Sequence, residues 1–107
     1  MRLVIAAGSL NRRLTLYAPV TLRSDTGMEK TGWRTSGTVW AAQENLSLRE
    51  IERTSGLTSV AEAKFVIRYR QGITERFEVV CEKRRYSVTA VEEIGLHEGL
   101  RLLVKAL

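Results

Sequence analysis

Apolar and polar side chains alternate with a period of two along most of this chain. Successive side chains of a β-strand point to opposite faces, so this pattern predicts strands that each bury one face. Six runs are typical of such strands: Arg13–Ala18, Thr38–Ala42, Lys64–Arg70, Phe77–Glu82, Arg85–Ala90 and Leu100–Lys105. Because the runs are short and evenly spaced, we expect a mainly β fold, an antiparallel barrel or sandwich.

The breaks between these runs have the composition of turns. Gln71-Gly72 separates two runs closely enough for a β-hairpin, and Lys83-Arg84 separates two more with weaker turn chemistry. Asp25, Thr26 and Gly27, together with Gly32, bracket a longer excursion between Val20 and Trp33. We therefore predict two hairpins and one long loop.

One segment favours a helix. Ser47-Leu48-Arg49-Glu50 is a capping box, in which the Ser47 hydroxyl and the Glu50 carboxylate can each accept from the other residue's backbone N–H. Leu48 and Ile51 can face the core together, and Gly56 is a plausible stop. The prediction is one short α-helix, about Leu48 to Ser55, inside a long strand-to-strand connection.

The chain has 107 residues, which argues for a single domain over 1–107, with residues 1–9 expected as a flexible arm. No stretch approaches the length of a membrane span, and the apolar start is shorter than the core of a signal peptide. We expect no membrane contact and synthesis in the cytoplasm.

The inventory of catalytic side chains is small. Asp25 is the only aspartate, His97 the only histidine and Cys81 the only cysteine, and none lies in a recognisable motif. Cys81 falls on the apolar side of a strand pattern, which favours a buried thiol over a nucleophile. Glu92 and Glu93 are adjacent and would point to opposite faces of a strand. We predict no catalytic residues, no metal site, no cofactor and no enzymatic activity.

A formal net charge of +5 attracts polyanions, although the basic residues are scattered. Small β barrels can bind single-stranded nucleic acid through exposed aromatic side chains in a basic groove. Tyr17 and Trp33 are the best exposed candidates here, whereas Phe65, Tyr69 and Phe77 fall on predicted core faces. A single-stranded nucleic-acid-binding module is therefore one alternative function.

The order of motifs resembles the phage head–tail joining proteins, also called head-closure, stopper or head–tail adaptor proteins, of long-tailed phages, prophages and gene transfer agents. The matching stretches run from Gly8 to Val104, and they are Gly8–Tyr17, the loop with Asp25, Gly27 and Trp33, Val39-Trp40-Ala41, Leu46–Glu50, Val66–Thr74 and Arg85–Val88. Where many relatives have a Gly before the Arg-Tyr strand, this chain has Lys83-Arg84. Where many have a His before the Ile-Arg-Tyr strand, it has Lys64-Phe65.

The resemblance implies a non-enzymatic virion protein that closes the DNA-filled head beneath the portal and adaptor and receives the tail. It implies a homo-oligomeric ring that forms on assembly, from copies that can be monomeric in isolation. It also implies partners among portal, adaptor and tail proteins, non-specific contact with packaged double-stranded DNA, and a location at the head–tail interface of the virion. A tail-completion or other neck morphogenesis protein is the alternative within the same class.

Two segments are candidates for these contacts. By topology, the Ser47–Ser59 connection would form ring contacts or line the channel, through its charged residues Arg49, Glu50, Glu52 and Arg53. The excursion with Asp25, Gly27 and Trp33 would form an exposed interaction loop. Both exceed what a small barrel needs to join its strands, and long loops on compact domains are usually functional or disordered.

Overall fold

The computed structural model describes residues 10–46 and 61–107. Within these ranges the chain forms six β-strands, β1 Arg12–Arg23, β2 Glu29–Glu44, β3 Ala63–Arg68, β4 Glu78–Cys81, β5 Arg84–Ile94 and β6 Gly99–Ala106. The predicted antiparallel, mainly β fold is confirmed. The described residues contain no helix, and the predicted helix from Leu48 to Ser55 lies outside them, as do residues 1–9.

Every strand is hydrogen-bonded to two neighbours, in the order β1-β2-β3-β6-β5-β4 and back to β1, so that the sheet closes into a barrel. All six pairings are antiparallel. Closure leaves no free sheet edge where the ring of strands is complete, which removes a surface prone to unwanted pairing.

The barrel interior takes its side chains from alternate positions of every strand, as the period-two pattern predicts. Phe65 and Tyr86 meet edge to face across the core, with ring centroids 5.4 Å apart and an angle of 75° between the rings. The interior residues are Leu14, Leu16, Ala41, Phe65, Ile67, Val79, Cys81, Tyr86, Val88, Leu100, Leu102 and Val104. A second, smaller group, Leu10, Ala42, Val66 and Ile94, is buried on the outer side of the sheet.

The predicted hairpin at Gln71-Gly72 is wrong. Strand β3 pairs with β2 and β6, whereas β4 pairs with β1 and β5, so the connection over residues 69–77 joins strands that are not neighbours. Ile73 and Phe77 in this connection are buried against the core cluster. Their burial, which local turn chemistry does not reveal, directs the chain across the barrel instead of back along β3.

The β4–β5 hairpin is present, but its turn residues are Glu82 and Lys83, one position earlier than predicted. Cys81 pairs with Arg84, which leaves two residues in the loop. Both have positive φ, 51° at Glu82 and 68° at Lys83, a conformation that suits the right-handed twist of a two-residue hairpin but favours Asn and Gly. The side chain of Glu82 forms an ion pair with Arg12 of the neighbouring β1.

The excursion predicted between Val20 and Trp33 is also corrected. Strand β1 continues to Arg23 and β2 begins at Glu29, so this segment is a β-hairpin with a short turn and not a long loop. Its polar residues fall on both faces, which hides the period-two signal. Backbone hydrogen bonds between the two strands hold it extended nonetheless.

A bulge in the β1–β2 pair redirects this hairpin. Leu16 pairs with Gly37 and Tyr17 with Thr35, so that Ser36 is the extra residue. Such a bulge bends its strand and increases the local twist. The Arg70 guanidinium, from the β3–β4 connection, donates a hydrogen bond to the backbone carbonyl of Ser36. The bulge is therefore held from outside its own hairpin.

Candidate interaction surface

The β1–β2 hairpin extends past the barrel as an arm, residues 18–34. Strand β1 pairs with β4 only over Leu14–Tyr17, and β2 pairs with β3 only over Ala41–Glu44, while β1 and β2 pair with each other as far as Arg23 and Glu29. Six residues of each arm strand correspond to about 20 Å of extended chain. The molecule accordingly measures 53 × 30 × 27 Å.

The tip of the arm is an ordered turn. Ser24 anchors it, because its backbone N–H donates to the Met28 carbonyl at 2.9 Å and its carbonyl accepts from the Gly27 N–H at 2.9 Å. Gly27 has a φ of 84°, which a residue with a side chain adopts only with strain. An ion pair between Arg23 and Glu29, at 3.0 Å, closes the strands just before the turn. Asp25 lies exposed in this turn.

A cluster at the base fixes the arm to the barrel. The Arg85 guanidinium carbon lies 4.7 Å from the Tyr17 ring centroid and 5.7 Å from that of Trp33. Arg85 Nε also donates to the Glu78 carboxylate, so β5 and β4 are both joined to the arm. Cation–π contacts and a part-buried ion pair together restrain the angle at which the arm leaves the barrel.

The arm exposes apolar surface. Leu22, Met28 and Trp33 are 48%, 71% and 39% exposed, although each is a large apolar side chain. The arm strands also present backbone groups that no other described strand pairs. Exposed apolar groups beside free strand edges are typical of surfaces that bind another protein.

The structure places the predicted interaction residues at two ends of the arm. Asp25 and Gly27 are at the tip, whereas Trp33 is a strand residue opposite Pro19 and belongs to the cluster at the base. They do not form one loop site. The other candidates, Arg49, Glu50, Glu52 and Arg53, lie outside the described residues.

Tyr17 and Trp33, the predicted stacking residues, do not form an open platform, because Arg85 lies against both rings. Trp40 is the more exposed tryptophan, at 51%, and the sequence interpretation treated it only as part of a strand. The sequence has no signal for this exposure, because Val39-Trp40-Ala41-Ala42 is a continuous apolar run in which alternation does not mark the buried face.

The residues considered for catalysis do not form a reactive group. Cys81 is 4% exposed inside the barrel, as predicted, and burial raises the pKa of its thiol, with a further increase from the Glu82 charge and an opposing effect of Arg12. His97 is exposed in the β5–β6 turn, where its ring stacks on Tyr69 at 4.4 Å. Over residues 10–46 and 61–107, no group of His, Cys, Asp and Glu could hold a metal ion.

Comparison with known proteins identifies the family of this chain. The family model described as phage head completion protein matches residues 5–107. The chain belongs to this family. The head completion proteins are structural proteins of phage virions, so the resemblance found in the sequence is confirmed. A structural role in completing the head of a virion follows from this membership.

Two solved structures share the fold of this head completion protein. Protein SF1141 from Shigella flexneri 2a, known from a solution structure, is 19% identical, with a TM-score of 0.76 over 95% of this chain and 96% of that chain. A chain of the virion of a native gene transfer agent particle is 18% identical, with a TM-score of 0.60 over 92% of this chain and 96% of that chain. No curated protein sequence matches the chain significantly. In the part of the chain that the structure describes, no helix is long and apolar enough to cross a membrane.

Proposed function

We propose that this protein closes the DNA-filled head of a tailed phage or gene transfer agent beneath the portal and adaptor, and provides the surface to which the tail attaches. The observation that carries the proposal is the match to the head completion family over residues 5–107. The protein would work as a structural part, without catalysis, in the virion and in the bacterial cytoplasm where virions assemble.

Two features of the fold support a role in a ring of identical copies. The barrel gives a rigid body, and the arm of residues 18–34 reaches about 20 Å beyond it. A ring needs head-to-tail contacts between two different surfaces of neighbouring copies. The exposed Leu22 and Met28 give the arm an apolar surface that suits such a contact, or one with an adaptor or tail protein. Isolated copies would stay monomeric until they bind to the portal and adaptor and form the ring there.

The connection Ser47–Ser59 belongs to the same proposal. Its charged residues Arg49, Glu50, Glu52 and Arg53 would make ring contacts or line the channel. The net charge of +5 would favour non-specific contact with packaged double-stranded DNA. Deleting the connection should then give filled heads that leak DNA or fail to take tails. Normal yield of infectious particles from that deletion would remove the connection from the proposal.

Electron microscopy of particles made with and without the protein tests the role itself. We expect filled heads without tails when the protein is absent, and complete particles when it is supplied in trans. A tail-completion protein would instead be found on finished tails, and its absence would leave defective tails beside closed heads. That outcome would replace head closure with the alternative.

A further inference from the structure

A pocket opens where β2 separates from β3. The two strands pair only from Ala41 to Glu44, and β3 ends at Arg68. The chain then diverges from β2 and returns to it through the Arg70 hydrogen bond to Ser36. Between these two points lies a cavity of about 260 Å³, the Trp40 pocket, lined by Leu10, Val39, Trp40, Arg68, Tyr69 and Arg70.

The walls of the Trp40 pocket are apolar and held in place. Leu10 is buried, and Tyr69 is fixed by its ring stacking on His97 and by its backbone N–H, which donates to the Glu98 carbonyl at 3.3 Å. Trp40, which also lines the pocket, is 51% exposed. A preformed apolar cavity with one exposed aromatic wall is typical of sites that take a side chain of another molecule.

The rim of the pocket is positively charged. The Arg13 guanidinium carbon lies 4.8 Å from the Trp40 ring centroid. Arg68 of β3 and Trp40 of β2 are the next residues beyond the Ala41–Ile67 pair, on neighbouring strands. Arg70 also lines the pocket, and its guanidinium donates to the Ser36 carbonyl. Among the residues that the structure describes, no carboxylate forms an ion pair with Arg13, Arg68 or Arg70. Three arginines therefore surround an apolar cavity without an acidic partner among residues 10–46 and 61–107.

We propose that the Trp40 pocket binds an acidic segment of another protein of the same virion. An apolar side chain of that segment fills the cavity against Trp40 and Tyr69, and carboxylates on either side of it pair with Arg13 and Arg68. Arginine suits this contact because its planar fork binds carboxylates at two points. A nucleic-acid backbone would satisfy the arginines but has no apolar side chain to fill the cavity, so a peptide fits the whole site better.

This inference rests on the proposed function for the kind of partner, and the experiment separates the two. A photoreactive benzophenone side chain is placed at position 40 of the full-length protein, and particles assembled with it are irradiated. The control carries the same group at position 107, an exposed apolar residue outside both the pocket and the arm, and it should give no crosslink to that partner. We expect a crosslink from position 40 to an acidic segment of a different virion protein, identified by mass spectrometry.

Charge reversal provides a second test of the pocket. Arg13→Glu with Arg68→Glu should reduce the crosslink yield at least about tenfold, because two attractive contacts become repulsive. Lys105→Glu, a reversal on β6 six residues beyond the partner of Arg68 and outside both the pocket and the arm, should leave the yield unchanged. If the double reversal does not fold, Arg68→Gln alone should lower the yield several-fold.

Three outcomes would overturn the proposal that the Trp40 pocket binds an acidic segment. They are a crosslink from position 40 to DNA, a crosslink to a second copy of this chain, and no crosslink although particles are complete. In each of these outcomes the protein is still found in the neck, so the proposed role in head closure stands although the pocket proposal is rejected. Absence of the protein from the neck would instead reject the proposed function.

Discussion

Arg70 reaches from the β3–β4 connection to the backbone carbonyl of Ser36, and so holds the one-residue bulge at which the arm leaves the barrel. Gly37 makes this contact possible. A Cβ at position 37 would lie 2.7 Å from Arg70 Nη2, closer than such atoms normally approach. The angle of the arm therefore depends on a residue more than thirty positions away in sequence.

Arg70→Met should lower the free energy of unfolding by about 1.5–3 kcal/mol, because a charged donor is lost from a part-buried carbonyl. Arg68→Met is the matched control, since the Arg68 side chain forms no such bond, and it should change stability by less than about 0.5 kcal/mol. Urea denaturation measures both. Equal effects of the two substitutions would contradict a structural role for Arg70.

Gly37→Ala should destabilise the protein by about 1 kcal/mol or more, because its φ of 148° disfavours a side chain and its Cβ meets Arg70. In the Arg70→Met background the steric part of this cost should fall, so the two substitutions should not be additive. A double-mutant cycle by urea denaturation tests this. Strict additivity would show that the Gly37 requirement comes from φ alone.

Lys83→Gly should stabilise the protein by about 1 kcal/mol, because Lys83 has a φ of 68° in the β4–β5 turn and glycine has no steric cost there. The melting temperature should rise by about 4 °C or more for a domain of this size. Lys105→Gly, in the extended backbone of β6, should have the opposite sign. A lower melting temperature for Lys83→Gly would mean that the lysine side chain contributes more than the turn strain costs.

The Cys81 thiol should resist alkylation. Burial raises its pKa, so at pH 8 the folded protein should react with a thiol reagent at least about tenfold more slowly than the protein unfolded in guanidinium. Equal rates in the two states would contradict the buried position of this residue.

The raised pKa of Cys81 also sets the direction in which the free energy of unfolding changes with pH. Stability linked to the neutral thiol is complete below its ordinary pKa, about 8.5, and is lost as the pH rises through the higher folded value. The free energy of unfolding should therefore fall more steeply between pH 8 and pH 10 in the natural protein than in Cys81→Ala. Parallel curves would show that other groups cause the alkaline loss.

Shortening the arm should leave the barrel intact. Val20 pairs with Gly32, so residues 21–31 can be replaced by Asn-Gly to close a two-residue hairpin that retains Tyr17, Trp33 and Arg85. Because the deleted residues are exposed, we expect the melting temperature to change by only a few degrees. Particle assembly should fail at the addition of tails, measured by electron microscopy. Full infectivity of particles with the shortened arm would exclude it as a contact surface.

The sequence alone determined the strands and their buried faces. Leu14 and Leu16 alternate with polar residues and face the barrel interior, as do Phe65 and Ile67, which lie two apart in β3. That result is local, because side-chain direction in a strand depends only on position along it. The ordered motifs also pointed to the correct family, since the resemblance and the family match cover nearly the same residues.

Only the tertiary structure decided which strands pair, how far β1 and β2 extend and where the Trp40 pocket lies. Strand partners depend on the burial of Ile73 and Phe77 across the barrel, not on the turn residues Gln71 and Gly72. The arm is held by backbone hydrogen bonds, which leave no pattern in side chains that are exposed on both faces. Neither the pocket nor the Arg70 contact has a sequence signal, because each joins residues that lie far apart in the chain until the barrel closes.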